Sequence, residues 1–174
     1  RMSAEDQSRV TRIAQYSWTG PRGVPERFLS KDEEANLNIP YGTLTAAERE
    51  TINHHIVATI NMLEALPWPG HVRQVTEYAG GHHEHMDGTG YPKGLKRGEM
   101  SWQARMMGIA DVFEALTAKD RPYKDGMKLS QALNILEEFK NNGHIDPDLY
   151  AVFVQSEVYR QYAAAFLEAQ QIDC

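Results

Sequence analysis

Apolar positions recur at three- and four-residue spacing along most of the chain, the period of a helix with one buried face. No stretch alternates convincingly as a half-buried strand would. The first helical stretch covers residues 4–16, with Val10, Ile13 and Ala14 on its inner face. Residues 17–42 are rich in Gly, Pro and Asn and read as an irregular connection holding one short helix over 30–36. Such a connection is longer than compact domains usually keep without a function for it. Thr45-Ala46-Ala47-Glu48 has the form of a capping box, in which the threonine hydroxyl accepts from the Glu48 amide and the glutamate reaches back. The helix it opens is expected to reach residue 66, burying Ile52, Ile56, Ile60 and Leu63, with Pro67 and Pro69 ending it. A further helix is expected over 70–83, followed by a glycine-rich loop over 87–98 that contains Pro92. Ser101 caps the next helix, through residue 118, with Ala104, Met107, Ile109, Ala110, Phe113 and Leu116 as its apolar set. Ser130 begins another, to residue 141, and Asp146-Pro147 starts the last one or two, to about residue 170. The pattern predicts an all-α domain.

Composition narrows the class without changing the fold. With 41% apolar and 24% charged residues, 174 residues suffice for one globular domain with its own core. The net charge of −6 argues against nonspecific binding to DNA, RNA or an anionic membrane, which needs a basic surface. An anionic phosphate ester would have to be held locally, by metal ions and a few basic side chains. The single cysteine, Cys174, excludes an intrachain disulfide and fits a cytoplasmic location. Neither an apolar membrane span nor a signal peptide is visible. The chain opens directly into helix-forming sequence, so a fragment of a longer multidomain protein is expected, with residues 1–41 as an N-terminal helix and connection and 42–174 as the helical domain.

The chemistry concentrates in His82-His83-Glu84-His85-Met86-Asp87, at the expected end of a helix. Neighbouring residues on a helix point about 100° apart. His82 and His83 therefore reach one metal site only where the helix ends, or where two metals lie side by side. A solvated helix end is the plain alternative. On the preceding helix His55 borders the apolar face and is expected to point inward, with His54 on the rim. Asp111 falls in a helix expected to be buried on several sides. It must then either bind a cation or pair with Arg105 or Arg121. Imidazole with carboxylate donors favours Mn, Fe or Zn over Ca or Mg. The methionines, Trp68 and Trp102 read as packing residues, and His144 as an exposed turn residue without a role. The aromatic residues of the last helices are expected to pack back onto the domain, with a homodimer contact as the other use.

Taken together, His55, His82-His83-Glu84, Asp87-Gly88, Gly90-Tyr91-Pro92, Ala104-Arg105, Ile109-Ala110-Asp111, Ala115-Leu116-Thr117 and Asp120-Arg121-Pro122-Tyr123 resemble the HD-GYP domain, a branch of the HD metal-dependent phosphohydrolases. The resemblance runs over residues 42–153. It implies an HD-domain-like helical bundle with a two- or three-metal centre, often iron or manganese, that hydrolyses cyclic dinucleotides, above all cyclic di-GMP. By position, His55, His82, His83 and Asp111 resemble the metal ligands, with His82, His83 and Asp111 acting through bound metal and water. Gly90, Tyr91 and Pro92 resemble the signature loop beside the substrate. Arg121, Tyr123 and Lys124 resemble the segment facing its phosphates or guanines. In such a centre the metals clamp the phosphodiester and lower the pKa of a bridging water.

The sequence departs from this family at one place. The His-Asp pair that names it falls by spacing near Glu26-Arg27, and no histidine precedes His54. A carboxylate among Asp32, Glu33 and Glu34 is one replacement; a centre reduced to one metal is another. Two functions therefore compete: a phosphodiesterase with a reduced centre, and an inactive module that senses a cyclic dinucleotide or meets a signalling partner such as a diguanylate cyclase domain.

Overall fold

A computed structural model describes residues 2–119 and 126–174. The chain divides into two compact units, Arg1–His54 and His55–Cys174. Within the first lie α1 (Ala4–Ile13), a ribbon of β1 (Ser17–Thr19) and β2 (Pro25–Arg27), and α2 (Lys31–Leu37). Helix α3 (Ala46–Glu64) begins there and continues into the second unit. The second unit adds α4 (Val75–Gly80), α5 (Trp102–Thr117), α6 (Leu129–Asn141), α7 (Pro147–Gln155) and α8 (Val158–Phe166), with single 3₁₀ turns at Gly70–Val72, Arg97–Glu99 and Ala169–Gln171. The protein is all-α apart from the ribbon, which is the one sheet among the described residues.

In the first unit Ser3 caps α1 and Ser30 caps α2, the latter with Glu33 completing a capping box. Their contact is tied by the Gln7 side chain, which donates to the Asn38 carbonyl at 2.8 Å. The strands pair antiparallel, Trp18 opposite Glu26. Three-residue strands are too short for an alternating pattern to show in sequence, which is why residues 17–27 read as irregular.

The capping box at Thr45 forms as read: the Thr45 amide donates to Glu48 Oε2 at 2.8 Å, and the Glu48 amide to Thr45 Oγ1 at 3.3 Å. On α3 the apolar stripe is buried only over its later turns. Ile56 and Ile60 are buried and Leu63 partly so, but Ile52 is exposed, because burial begins where α3 enters the second unit. The helix expected over 70–83 is shorter: it starts as a 3₁₀ turn and ends at Gly80. Gly81 follows, where a side chain would place its Cβ 2.9 Å from that of Ala104 on α5. Glycine admits that close approach, and α4 has ended before the histidines.

Helix α5 is the spine of the second unit. Ile109 and Phe113 join Leu129, Ala132 and Leu136 of α6, Ile145 and Leu149 beside and on α7, and Tyr159 and Ala163 of α8 in one core. The Phe113 ring meets Phe153 and Tyr162 edge-on at 5.3 and 5.5 Å. Two members of the expected α5 set, Met107 and Ala110, are exposed instead. Met107 lies about 160° round the helix from Ile109, away from the core. The terminal aromatics pack onto the domain except Phe166, which is exposed. No helix is long and apolar enough to cross a membrane among the described residues.

Candidate metal centre and glycine loop

Because α4 stops at Gly80, His82 and His83 leave its end on a turn, closed where the Glu84 amide donates to the Gly81 carbonyl at 3.1 Å. His82 Nδ1 lies 2.6 Å from the Ala79 carbonyl oxygen. A carbonyl only accepts, so Nδ1 carries the proton and Nε2 keeps its lone pair for an ion. His83 Nε2 and His55 Nε2 are 3.2 Å apart. Two nitrogens bound to one ion at about 2.1 Å, at tetrahedral to right angles, stand roughly 3.0–3.4 Å apart. The donor atoms of His55, His82 and His83 all fall within 4.8 Å of one another. The geometry and chemistry of this set fit a divalent metal.

His55 meets the other two from an exposed position on α3, not from the inward-facing one its spacing predicted. His54 is exposed, as expected for a rim residue. Burial, then the neighbouring His82, push the His83 imidazole down to about 4, with Asp111 opposing. At neutral pH His83 is therefore uncharged, the form that binds metal.

Asp111 is exposed on α5, correcting the expectation that it is buried. Its flank of the helix faces away from the core, as does Ala110. Arg105 is not its partner: it is buried and pairs with Asp146 at 2.6 Å. The carboxylate nonetheless lies close enough to raise both His83 and Tyr91 electrostatically. Asp111 stands outside the three-histidine group, beside it. Arg121, Tyr123 and Lys124 lie outside the described residues.

The glycine loop folds back on this cluster. Gly90 lies so close to the backbone of residues 84–85 that a Cβ there would sit 2.3 Å from the His85 nitrogen and 2.5 Å from the Glu84 Cα. The Tyr91 amide donates to the His83 carbonyl at 3.2 Å, and the Tyr91 ring stacks on the His83 imidazole at 4.8 Å. Burial and then Asp111 push the Tyr91 phenol up, so it stays protonated and can donate. Gly90 and Pro92 are half-buried on either side of it.

Three contributors have roles here that differ from what their sequence context predicts. Glu84 is buried, and its two carboxylate oxygens accept from the Lys93 and Leu95 amides at 2.7 and 2.8 Å, closing the loop on itself. His144, expected to be exposed, is half-buried between Phe139 at 4.3 Å and His85 at 3.7 Å. The sequence predicts Asp146 as a helix cap, but it also receives Arg97 and Arg105, 49 and 41 residues away in sequence. No local pattern announces partners at such separations; only the charge of Glu84 inside the dense cluster was a signal.

Comparison with known proteins gives the family of the chain. The family profile described as HD domain matches residues 31–149, starting after the Glu26-Arg27 positions. A 3'3'-cGAMP-specific phosphodiesterase 3 of Vibrio cholerae is 34% identical over 150 residues, covering 86% of this chain and 30% of that protein. A cyclic di-GMP phosphodiesterase of Thermotoga maritima is 31% identical over 148 residues, 82% of this chain and 37% of its own length. One from Pseudomonas aeruginosa is 45% identical over 75 residues, 43% of this chain and 17% of its own. The chain thus spans well under half the length of these relatives. It belongs to the HD-domain family, and within that family it is of the HD-GYP type.

Proposed function

We propose that this chain is a metal-dependent phosphodiesterase domain that hydrolyses a cyclic dinucleotide, cyclic di-GMP or 3'3'-cGAMP. The observation that carries this reading is the convergence of His55, His82 and His83 directly beside the Gly90-Tyr91-Pro92 loop. Domains of this family are metal-dependent, and relatives named for hydrolysing these two substrates match most of the chain. Iron or manganese suits three imidazoles with Asp111 close by. A bound ion would supply Lewis acidity toward a phosphoryl oxygen and a water of lowered pKa.

The chain's own residues do the rest. The Ala79 carbonyl fixes the His82 tautomer, burial keeps His83 neutral, and Tyr91 forms an aromatic wall with a hydroxyl donor. Arg121, Tyr123 and Lys124 are assigned to the phosphates or guanines on the resemblance, and a guanidinium suits bidentate phosphate binding. An acidic domain needs such local cations for an anionic substrate.

A second reading is favoured by one specific observation, the absence of histidine before His54. In it the domain binds the cyclic dinucleotide without cleaving it and passes that state to a partner such as a diguanylate cyclase domain or a second copy. Metal content by mass spectrometry after loading with iron or manganese, followed by product analysis with both dinucleotides, separates the two. Hydrolysis is expected to fall in His82→Ala by more than the roughly 10–100-fold that loss of an outer-shell partner costs, with metal lost alongside. Equal hydrolysis in His82→Ala removes the phosphodiesterase assignment; saturable binding without turnover selects the sensor.

A further inference from the structure

We propose that Asp146 is the positioning residue of the glycine loop: through Arg97 it fixes the loop's exit, and with it the seat of Tyr91 against His83. The role of that loop rests on the phosphodiesterase reading above.

Asp146 has no exposed surface, yet it does more than cap α7. Its Oδ1 accepts from the Asp148 and Leu149 amides at 2.9 and 3.2 Å, which is all that the helix end requires. Three guanidinium contacts are added: Arg97 Nε to Oδ2 at 2.9 Å, Arg97 Nη2 to Oδ1 at 3.3 Å, and Arg105 Nη1 to Oδ2 at 2.6 Å. Arg105 belongs to α5 and explains why a charge is tolerated there. Arg97 comes from the glycine loop and also pairs with Asp148. Neither capping nor neutralisation of Arg105 calls for it.

The same turn holds the other end of the loop. The Met86 amide donates to the His144 carbonyl at 3.4 Å and the Asp87 amide to the Gly143 carbonyl at 3.1 Å. The Arg97 amide then donates to the Met86 carbonyl at 3.2 Å, and Asp87 bridges Lys96, so entry and exit are joined side by side. The His85 ring rests on His144, itself stacked on Phe139 of α6. The turn between α6 and α7 is thus the platform of the loop, and the Arg97–Asp146 fork, planar and two-pronged, is its side-chain latch. Between the latched ends lie Thr89 to Pro92, which carry Tyr91 onto His83.

Amide hydrogen exchange and steady-state kinetics on the whole chain test this. Arg97→Gln removes the latch while Arg105 still neutralises Asp146, and Asp146→Asn keeps an oxygen for the α7 amides while removing the carboxylate charge that faces both arginines. In both variants exchange at the Asp87, Lys93, Leu95 and Arg97 amides should accelerate about tenfold or more, with the core amides of α5 and α6 still protected. The dinucleotide KM should rise about tenfold with metal content unchanged, and Arg97→Lys should restore only part of it. Unchanged loop exchange in both variants, or an unchanged KM beside full wild-type turnover, overturns the proposal. If wild-type protein neither binds nor cleaves a dinucleotide, the phosphodiesterase reading fails, and exchange alone still decides whether Asp146 holds the loop.

Discussion

At Gly90 the loop rests on the backbone of the segment that carries the histidines, and only a hydrogen fits between them. A methyl group there meets main-chain atoms at 2.3–2.6 Å, which cannot rotate away as a flexible side chain would. Gly90→Ala is therefore expected to cost about 1–3 kcal/mol, the usual range for overpacking a close contact. A fall in the urea midpoint with an unchanged slope would show it. The same variant should lower hydrolysis more than metal content, because the histidines sit on the turn after α4 while Tyr91 sits on the displaced loop. An unaltered midpoint would mean that the loop can lift from Glu84 without penalty. Glu84 shows why that is not expected: it spends both oxygens on amides of the loop's far arm.

Helix starts were the most legible elements, because their signals are local. The Ser101 hydroxyl accepts from the Ala104 amide at 3.2 Å, three residues on, and Asp146-Pro147 caps α7 as its sequence predicts. Ser101→Ala is expected to cost about 1 kcal/mol, read as a lower thermal midpoint. No change would mean that the Glu77 carboxylate, which accepts from the Ser101 amide, holds the start of α5 unaided. The histidines His55, His82 and His83 stood out in the sequence for a similar reason: His82 and His83 are adjacent, and His55 sits on a strongly signalled helix. What the sequence hid was set by tertiary contact. The close packing of Gly81 against Ala104 and the exposure of Asp111 both depend on which flank of α5 meets its neighbours. The place of His144 depends on a stack with Phe139 and with a residue 59 positions earlier, His85. Periodicity assigns a residue to a face of its own helix and says nothing of which face a neighbour covers.

Over the whole molecule, the half-buried imidazoles of His83 and His144 tie stability to pH. His83 and His144 are both pushed from near 6.5 down to about 4, by burial first and then by neighbouring histidines, against the opposing pull of Asp111 on one and Asp87 on the other. Between those two values the unfolded chain binds protons that the folded chain refuses, so stability rises with pH across that window. The contribution of each ring is complete above about 6.5 and is lost as pH falls toward about 4. Asp146 extends the trend to lower pH. Burial raises its carboxyl, but Arg97, the Leu149 amide and Arg105 together hold it below the ordinary 3.8. Metal-free protein should therefore show a urea midpoint that declines from pH 7 to pH 4.5. His144→Phe, which keeps a ring between Phe139 and His85, should flatten part of that decline. With metal bound to His83 the wild-type curve should steepen, because protons then compete with the ion for its ring. A wild-type midpoint that stays level over this range would mean that the two rings titrate alike in the folded and unfolded chain, and so are not held out of water as their packing requires.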